Sequence, residues 1–122
     1  MQHRIMLFQL AHGRSGDKGD TTNVGIIARR PEFYEILKNE LTPEVVKAHF
    51  GDMVKGNVER YEMPNIGALN FLLHESLGGG GTKSLKLDAQ GKTYAAALLR
   101  LFLMLDDERY PQLKLLLDTA SS

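Results

Sequence analysis

The stretch His12-Gly13-Arg14-Ser15-Gly16-Asp17-Lys18-Gly19-Asp20-Thr21-Thr22-Asn23 follows the apolar run Ile5–Ala11 and leads into Val24-Gly25-Ile26-Ile27-Ala28-Arg29. Its reading decides the fold. It holds three glycines, two acids, two bases, a histidine and several hydroxyls, more chemistry than a simple connection needs. Both flanking runs read as strands. In Ile5–Ala11, apolar side chains fall on both alternating faces, which suits a strand covered on two sides or at a subunit contact. From Asn23 to Arg29 the β-branched residues argue for a second strand, and Gly25 within it marks a bulge or a close backbone approach. The polar stretch is then a strand-to-strand loop.

Working outward, Pro31 stops the second strand and opens a helix with the stripe Phe33, Ile36, Leu37 and Leu41. Thr42-Pro43-Glu44 restarts helical spacing at Val46, His49, Phe50 and Met53, and Gly51 and Gly56 end it. Asn57–Met63 reads as a strand, with Tyr61 and Met63 on one face and Val58, Arg60 and Glu62 on the other. Asn65 then caps a helix with Ile66, Leu69, Leu73 and Leu77 on one face, terminated by Gly78-Gly79-Gly80-Gly81. Ser84–Asp88 is a short strand and Asp88-Ala89-Gln90-Gly91 a turn. Tyr94, Ala95, Leu98, Leu101, Phe102 and Leu105 form a strong helical stripe. After Pro111, Leu113–Leu117 gives a short last helix. The expected order is β-β-α-α-β-α-β-α. It predicts an α+β fold, a variant of the ferredoxin-like sandwich with about four strands in one sheet and helices mainly on one face. Such a layer leaves a sheet face to cover, and a homo-oligomer is one solution.

The bulk composition narrows the function classes. The 122 residues suit one domain, 1–122, with a tail from about Asp106. A hydrophobic fraction of 43% and a charged fraction of 25% are ordinary for a globular chain. A formal net charge of +0 removes the electrostatic case for nucleic acid or an anionic membrane as partner. With no cysteine there is no disulfide, thiol nucleophile or cysteine-based metal site. No apolar run reaches a membrane span. The basic-then-apolar start, Met1–Phe8, is too short for a signal peptide once Gln9 interrupts it, so the cytoplasm is the expected compartment.

Known chemistry fits the polar stretch poorly. A phosphate loop needs glycine before the lysine and a helix after it; here Asp17 precedes Lys18 and a strand follows. A calcium loop needs acids at alternate positions and a distal glutamate, whereas Asp17 and Asp20 are three apart. In Gly13-Arg14-Ser15-Gly16 the second glycine comes one place early for a nucleophile elbow. What remains is a generic anion site. Gly13, Gly16 and Gly19 can converge backbone N–H groups as a nest. Arg14 and Lys18 supply charge, and Ser15 and Asn23 supply polar groups. Asp17 and Asp20, with His12 beside them, are the candidate catalytic groups. Against this stands an irregular turn whose acids pair with its own bases. Among the other histidines, His3 reads as solvated and His49 as packing at a helix edge. His74 either packs beside the Leu73 and Leu77 face or reaches a site, and Asn65 can reach one. No histidine pair has ligand spacing, so neither metal nor cofactor is expected. The four glycines with Thr82 and Lys83 read either as a flap over a ligand or as a helix stop.

Ala11 to Ile26 resembles the opening of the small domain at the C-terminus of AtuA-family proteins of acyclic terpene utilisation and of its stand-alone relatives. Pro64-Asn65-Ile66-Gly67-Ala68-Leu69-Asn70-Phe71 resembles that domain's second motif, and Leu77 to Lys92, with Asp88-Ala89-Gln90-Gly91-Lys92, its third. The resemblance implies a ferredoxin-like fold and a link to bacterial acyl-CoA or terpenoid catabolism. It implies no settled reaction. It also suggests a partner, since the large N-terminal part of full-length AtuA-type proteins would be a separate chain here. Three functions follow: an accessory or binding module for a small anionic ligand, a lyase- or hydratase-like enzyme with an aspartate base, or a structural oligomerisation subunit.

Overall fold

The computed structural model describes residues 1–76 and 92–121. Strand β1 (Gln2–Met6) runs into a one-turn helix α1 (Leu7–Leu10), then β2 (Ala11–Lys18) and β3 (Thr21–Ala28). A 3-10 turn at Pro31–Phe33 opens α2 (Tyr34–Glu40), followed by α3 (Pro43–Phe50). Next come β4 (Val58–Met63) and β5 (Ala68–Leu73), then α4 (Lys92–Leu99), β6 (Phe102–Asp106) and α5 (Lys114–Ser121). The strands make two antiparallel sheets, a four-stranded one in the order β2-β3-β5-β4 and a two-stranded ribbon of β1 and β6. The fold is α+β, as expected, with one four-stranded sheet at its centre.

Several expected elements are right for the expected reasons. Pro31 opens the first long helical segment. The Thr42 side chain caps α3 by accepting from the Val45 N–H at 3.2 Å, with Pro43 in the first turn. The strand at 57–63 forms as β4.

Several expectations are corrected. The single strand Ile5–Ala11 is instead the end of β1, a helical turn and the start of β2. Leu7 and Leu10, three apart and fully buried, face inward from that turn, while the Gln9 side chain accepts from the Met6 N–H at 3.0 Å. The polar stretch is not a loop: residues 12–18 are strand, and only Gly19 and Asp20 turn the chain between the paired Lys18 and Thr21. Gly19 has φ of 63°, which suits the first place of a two-residue hairpin turn. Nor does Gly25 make a bulge, since the register runs through it unbroken on both sides.

The helix drawn from Asn65 does not form among the described residues, and the one drawn from Tyr94 is wrong over its second half. Leu69 and Leu73 lie four apart, a spacing that suits one face of a helix and one face of a strand alike. Phe71, buried between them, joins that row only in a strand. Gly67, in the left-handed region at φ 62°, closes the β4–β5 hairpin, so Asn65 sits in a turn and caps nothing. Similarly, Leu101, Leu103 and Leu105 are buried while Phe102 and Met104 are exposed, a period of two that ends α4 at Leu99 and begins β6. The four-glycine run, the strand at 84–88 and the turn at 88–91 lie outside the described residues.

The core fills the space between one sheet face and the helices. Val24, Ile26, Leu69, Phe71 and Leu73 from the sheet meet Phe33, Ile36, Leu37, Val46, Phe50, Tyr94 and Leu98 in one buried cluster. Ile5, Leu103 and Leu105 bring the ribbon into the same cluster. Gly13 is on this inner face: a Cβ there would stand 3.1 Å from Leu99 Cδ1 of α4. Arg60, on β4, donates to the Lys38 and Leu41 carbonyls at 2.8 and 3.0 Å, satisfying the C-terminal end of α2.

The approach to β4 is held to the end of β5 by close backbone contact. Gly56 N–H donates to the His74 carbonyl at 2.9 Å, and Lys47 Nζ donates to the Gly56 carbonyl at 2.6 Å. A Cβ on Gly56 would stand 2.7 Å from the His74 carbonyl oxygen, a backbone atom that cannot rotate away. Gly56→Ala is therefore expected to destabilise the fold by about 1–3 kcal/mol, on the order of 5–15 °C in Tm. Thermal melts followed by circular dichroism check this, and an unchanged Tm would contradict the packing.

Candidate functional site

Residues paired across an antiparallel ladder share a face, and neighbours along a strand alternate. The inner row Gly13–Ile26 and Ser15–Val24 packs toward the helices. The other face is open among the described residues. One row there runs Arg14, Gly25, Asn70, Tyr61 across the four strands, and the next runs Gly16, Asn23, Leu72, Glu59. On the far side of the first row lie His12, Ile27, Ala68 and Met63.

Gly25 and Gly16 bring no side chains to the middle of this face. The result is a shallow trough of about 250 Å³, lined by Arg14, Asn23, Ile27, Met63, Ile66 and Asn70 among others. Arg14 is exposed and, among the described residues, makes no ion pair. Polar groups therefore stand at one side of the trough. Apolar ones stand at the other, with Ile66 61% exposed.

A hydrogen-bonded group occupies the far end of the same face. His74 Nε2 lies 2.6 Å from Glu59 Oε2, and His74 Nδ1 lies 3.3 Å from Thr21 Oγ1. The Tyr61 hydroxyl donates to Glu59 Oε1. The bond from Tyr61, and then that from His74, holds the Glu59 carboxyl below the ordinary glutamate range, and the same bond to Glu59 raises Tyr61.

The sequence-expected residues divide between the two faces. Arg14, Gly16 and Asn23 share the trough, and His74 joins them on the open face. His12 is also there, its Nε2 3.4 Å from the Arg29 guanidinium. Ser15 is on the helix side, beside a second, apolar concavity of about 440 Å³ against Ala95, Ala96 and Leu99. Asp20 faces inward from the hairpin turn. Its backbone carbonyl accepts from the Ser76 N–H at 3.1 Å, and its Oδ1 is buried with no hydrogen-bond partner among the described residues. It faces the region of Tyr94, whose hydroxyl donates to the Ser76 carbonyl and is pushed up to about 12 by burial and then by the Asp20 charge. Asp20 and Arg14 therefore do not form one site. Asn65 is exposed in the β4–β5 turn next to Ile66. The backbones of Asp17 and Lys18 pair with Thr22 and Thr21, and the roles expected of their side chains lie outside the described residues. A convergent nest of three glycines does not form, because Gly13 and Gly16 are in an extended ladder.

Sequence reasoning missed Asn70, Thr21, Glu59 and Tyr61. The alternation Glu59, Tyr61, Met63 carried the signal, but it points to a site only once 68–73 is read as a strand. Among the described residues no three histidine or acidic side chains gather as a metal site. No described helix is long and apolar enough to cross a membrane.

Fold and site together define a small α+β domain whose central sheet is packed on one side and presents polar groups on the other. The model of the AtuA ferredoxin-like domain matches residues 5–104, and the chain belongs to that family. No curated protein and no solved structure matches it.

The depressed Glu59 carboxyl links the network to stability. A group whose folded pKa is lowered stabilises above its unfolded pKa, about 4.3 for glutamate, and that contribution is lost as pH falls through the folded value. Glu59→Gln should therefore lower Tm near neutral pH, with the gap to the unaltered protein closing below about pH 4. Melts across that range check it, and a gap constant with pH would contradict the charge-assisted network.

Proposed function

We propose that this domain is a binding module for a small acid with an apolar body, held in the trough on the open sheet face. The observation that carries this reading is the exposed Arg14, without an ion pair among the described residues, beside a glycine-floored concavity with Ile27, Met63 and Ile66 along its other side. A guanidinium presents a planar fork to a carboxylate or phosphate, and Asn23 and Asn70 add amide groups beside it. Apolar side chains next to that anchor favour an acid carrying a hydrocarbon chain over a free inorganic anion. An acyl or terpenoid acid, the chemistry that the family likeness implies, has this shape.

An enzyme using an aspartate base has less support, because Asp20 turns away from the trough. Assembly with a second copy, or with a separate larger chain of AtuA type, would fit the same face, where Tyr61, Met63 and Ile66 stand exposed.

Hexanoate is a suitable probe, with hexanol as its uncharged counterpart. Titration followed by amide NMR should perturb the side-chain signals of Asn23 and Asn70 with hexanoate and not with hexanol. Arg14→Gln should weaken hexanoate binding about tenfold or more, the effect of losing a charge-assisted bond. Gly25→Ala should weaken it while leaving Tm unchanged or slightly raised. The added methyl would have only ordinary contacts at 3.9 Å, and it restricts the unfolded chain. Equal responses to hexanoate and hexanol, or full binding by Arg14→Gln, would overturn the reading.

A further inference from the structure

The open face holds a set of side chains that acid binding in the trough does not use. A carboxylate only accepts hydrogen bonds, so the 2.6 Å contact with Glu59 places the hydrogen of the neutral ring on His74 Nε2. His74 Nδ1 then turns its lone pair toward the Thr21 hydroxyl, 3.3 Å away. The Tyr61 hydroxyl fills the other Glu59 oxygen and fixes the carboxylate in place. A hydroxyl, an imidazole and a carboxylate thus stand in series, the base oriented by a third group. That is the arrangement by which an oxygen nucleophile is activated.

We propose that Thr21, His74 and Glu59 form an acyl-transfer site for small esters or thioesters. Thr21 Oγ1 is the nucleophile, His74 the general base, and Glu59 a positioning residue. Oγ1 attacks the acyl carbon as its proton passes to Nδ1. The bond from that carbon to the leaving oxygen or sulfur breaks, and the leaving group takes the electron pair and the proton from Nδ1. Water then attacks the Thr21 ester, giving a proton to Nδ1. That proton returns to Oγ1 as the acid departs, so the step needs no oxidant, reductant or further reactant. Asn23 is two residues along on the same face of β3 and supplies an amide donor for the acyl oxygen. The side chains of His74 and Glu59 are 34% and 45% exposed, so water reaches the ester and hydrolysis is its expected fate.

This site needs neither Arg14 nor the trough floor, so its failure would leave the acid-binding reading standing. p-Nitrophenyl acetate tests it on the full chain. Release of p-nitrophenolate should be accompanied by one acetyl group on Thr21, located by peptide mass spectrometry. Thr21→Ser should carry the acetyl group at the same position, and Thr21→Val should carry none there. His74→Gln should slow release on the order of 10²-fold. Because Thr21→Ser keeps the hydroxyl, it guards against misreading a misfolded variant as support. Acetyl groups on lysines or on His74 with Thr21 unmodified, or a His74→Gln rate within about twofold of the unaltered protein, would overturn the proposal.

Discussion

The antiparallel register of β3 against β2 and β5 is the constraint on which both faces of the molecule depend. With Gly25 opposite Arg14 and Asn70, the alternating residues Val24 and Ile26 go inward and Asn23 goes outward. A slip of one residue against the sheet would reverse every one of these assignments. It would expose Val24 and Ile26, each worth about 1.5–3 kcal/mol when fully buried, and it would press Asn23 against Phe71 and the helices. Apolar burial on one side thereby fixes which polar groups meet on the other. The site residues are grouped by the energetics of a core that they do not touch.

The sheet edges and ends hold that register. The two-residue turn at Gly19 and Asp20 sets β2 against β3, and the left-handed Gly67 sets β4 against β5. The close backbone approach of Gly56 to His74 positions the end of β5, and with it the imidazole that bridges Thr21 and Glu59. Arg60 faces the other way on β4 and ties the strand to the end of α2. Adjacent β4 residues thus divide the labour: Arg60 secures the fold, while Glu59 and Tyr61 face the open side.

The α+β class, strands β3 and β4, the α3 cap and the family were legible in the sequence, since long motifs and a Thr-Pro start carry strong local signals. The strand β5 was not, because a spacing of four between Leu69 and Leu73 satisfies two periodicities at once and Phe71 alone separates them. The same ambiguity hid β6 behind Leu101 and Leu105. In sequence the polar stretch reads as a loop because its residues are poor core formers, yet an edge strand with one uncovered face tolerates them. Residue type alone points to Arg14, Gly16, Asn23 and His74. That Asn70 and Tyr61 belong beside them is a fact of strand pairing between distant segments, which no local pattern states.

The shared open face rests on the register, and cross-strand backbone NOEs measure it directly. They are expected to pair Gly25 with both Arg14 and Asn70, and Asn70 with Tyr61. A pattern shifted by one residue, with Val24 opposite Arg14 or Asn70, would place Asn23 in the core and contradict the account.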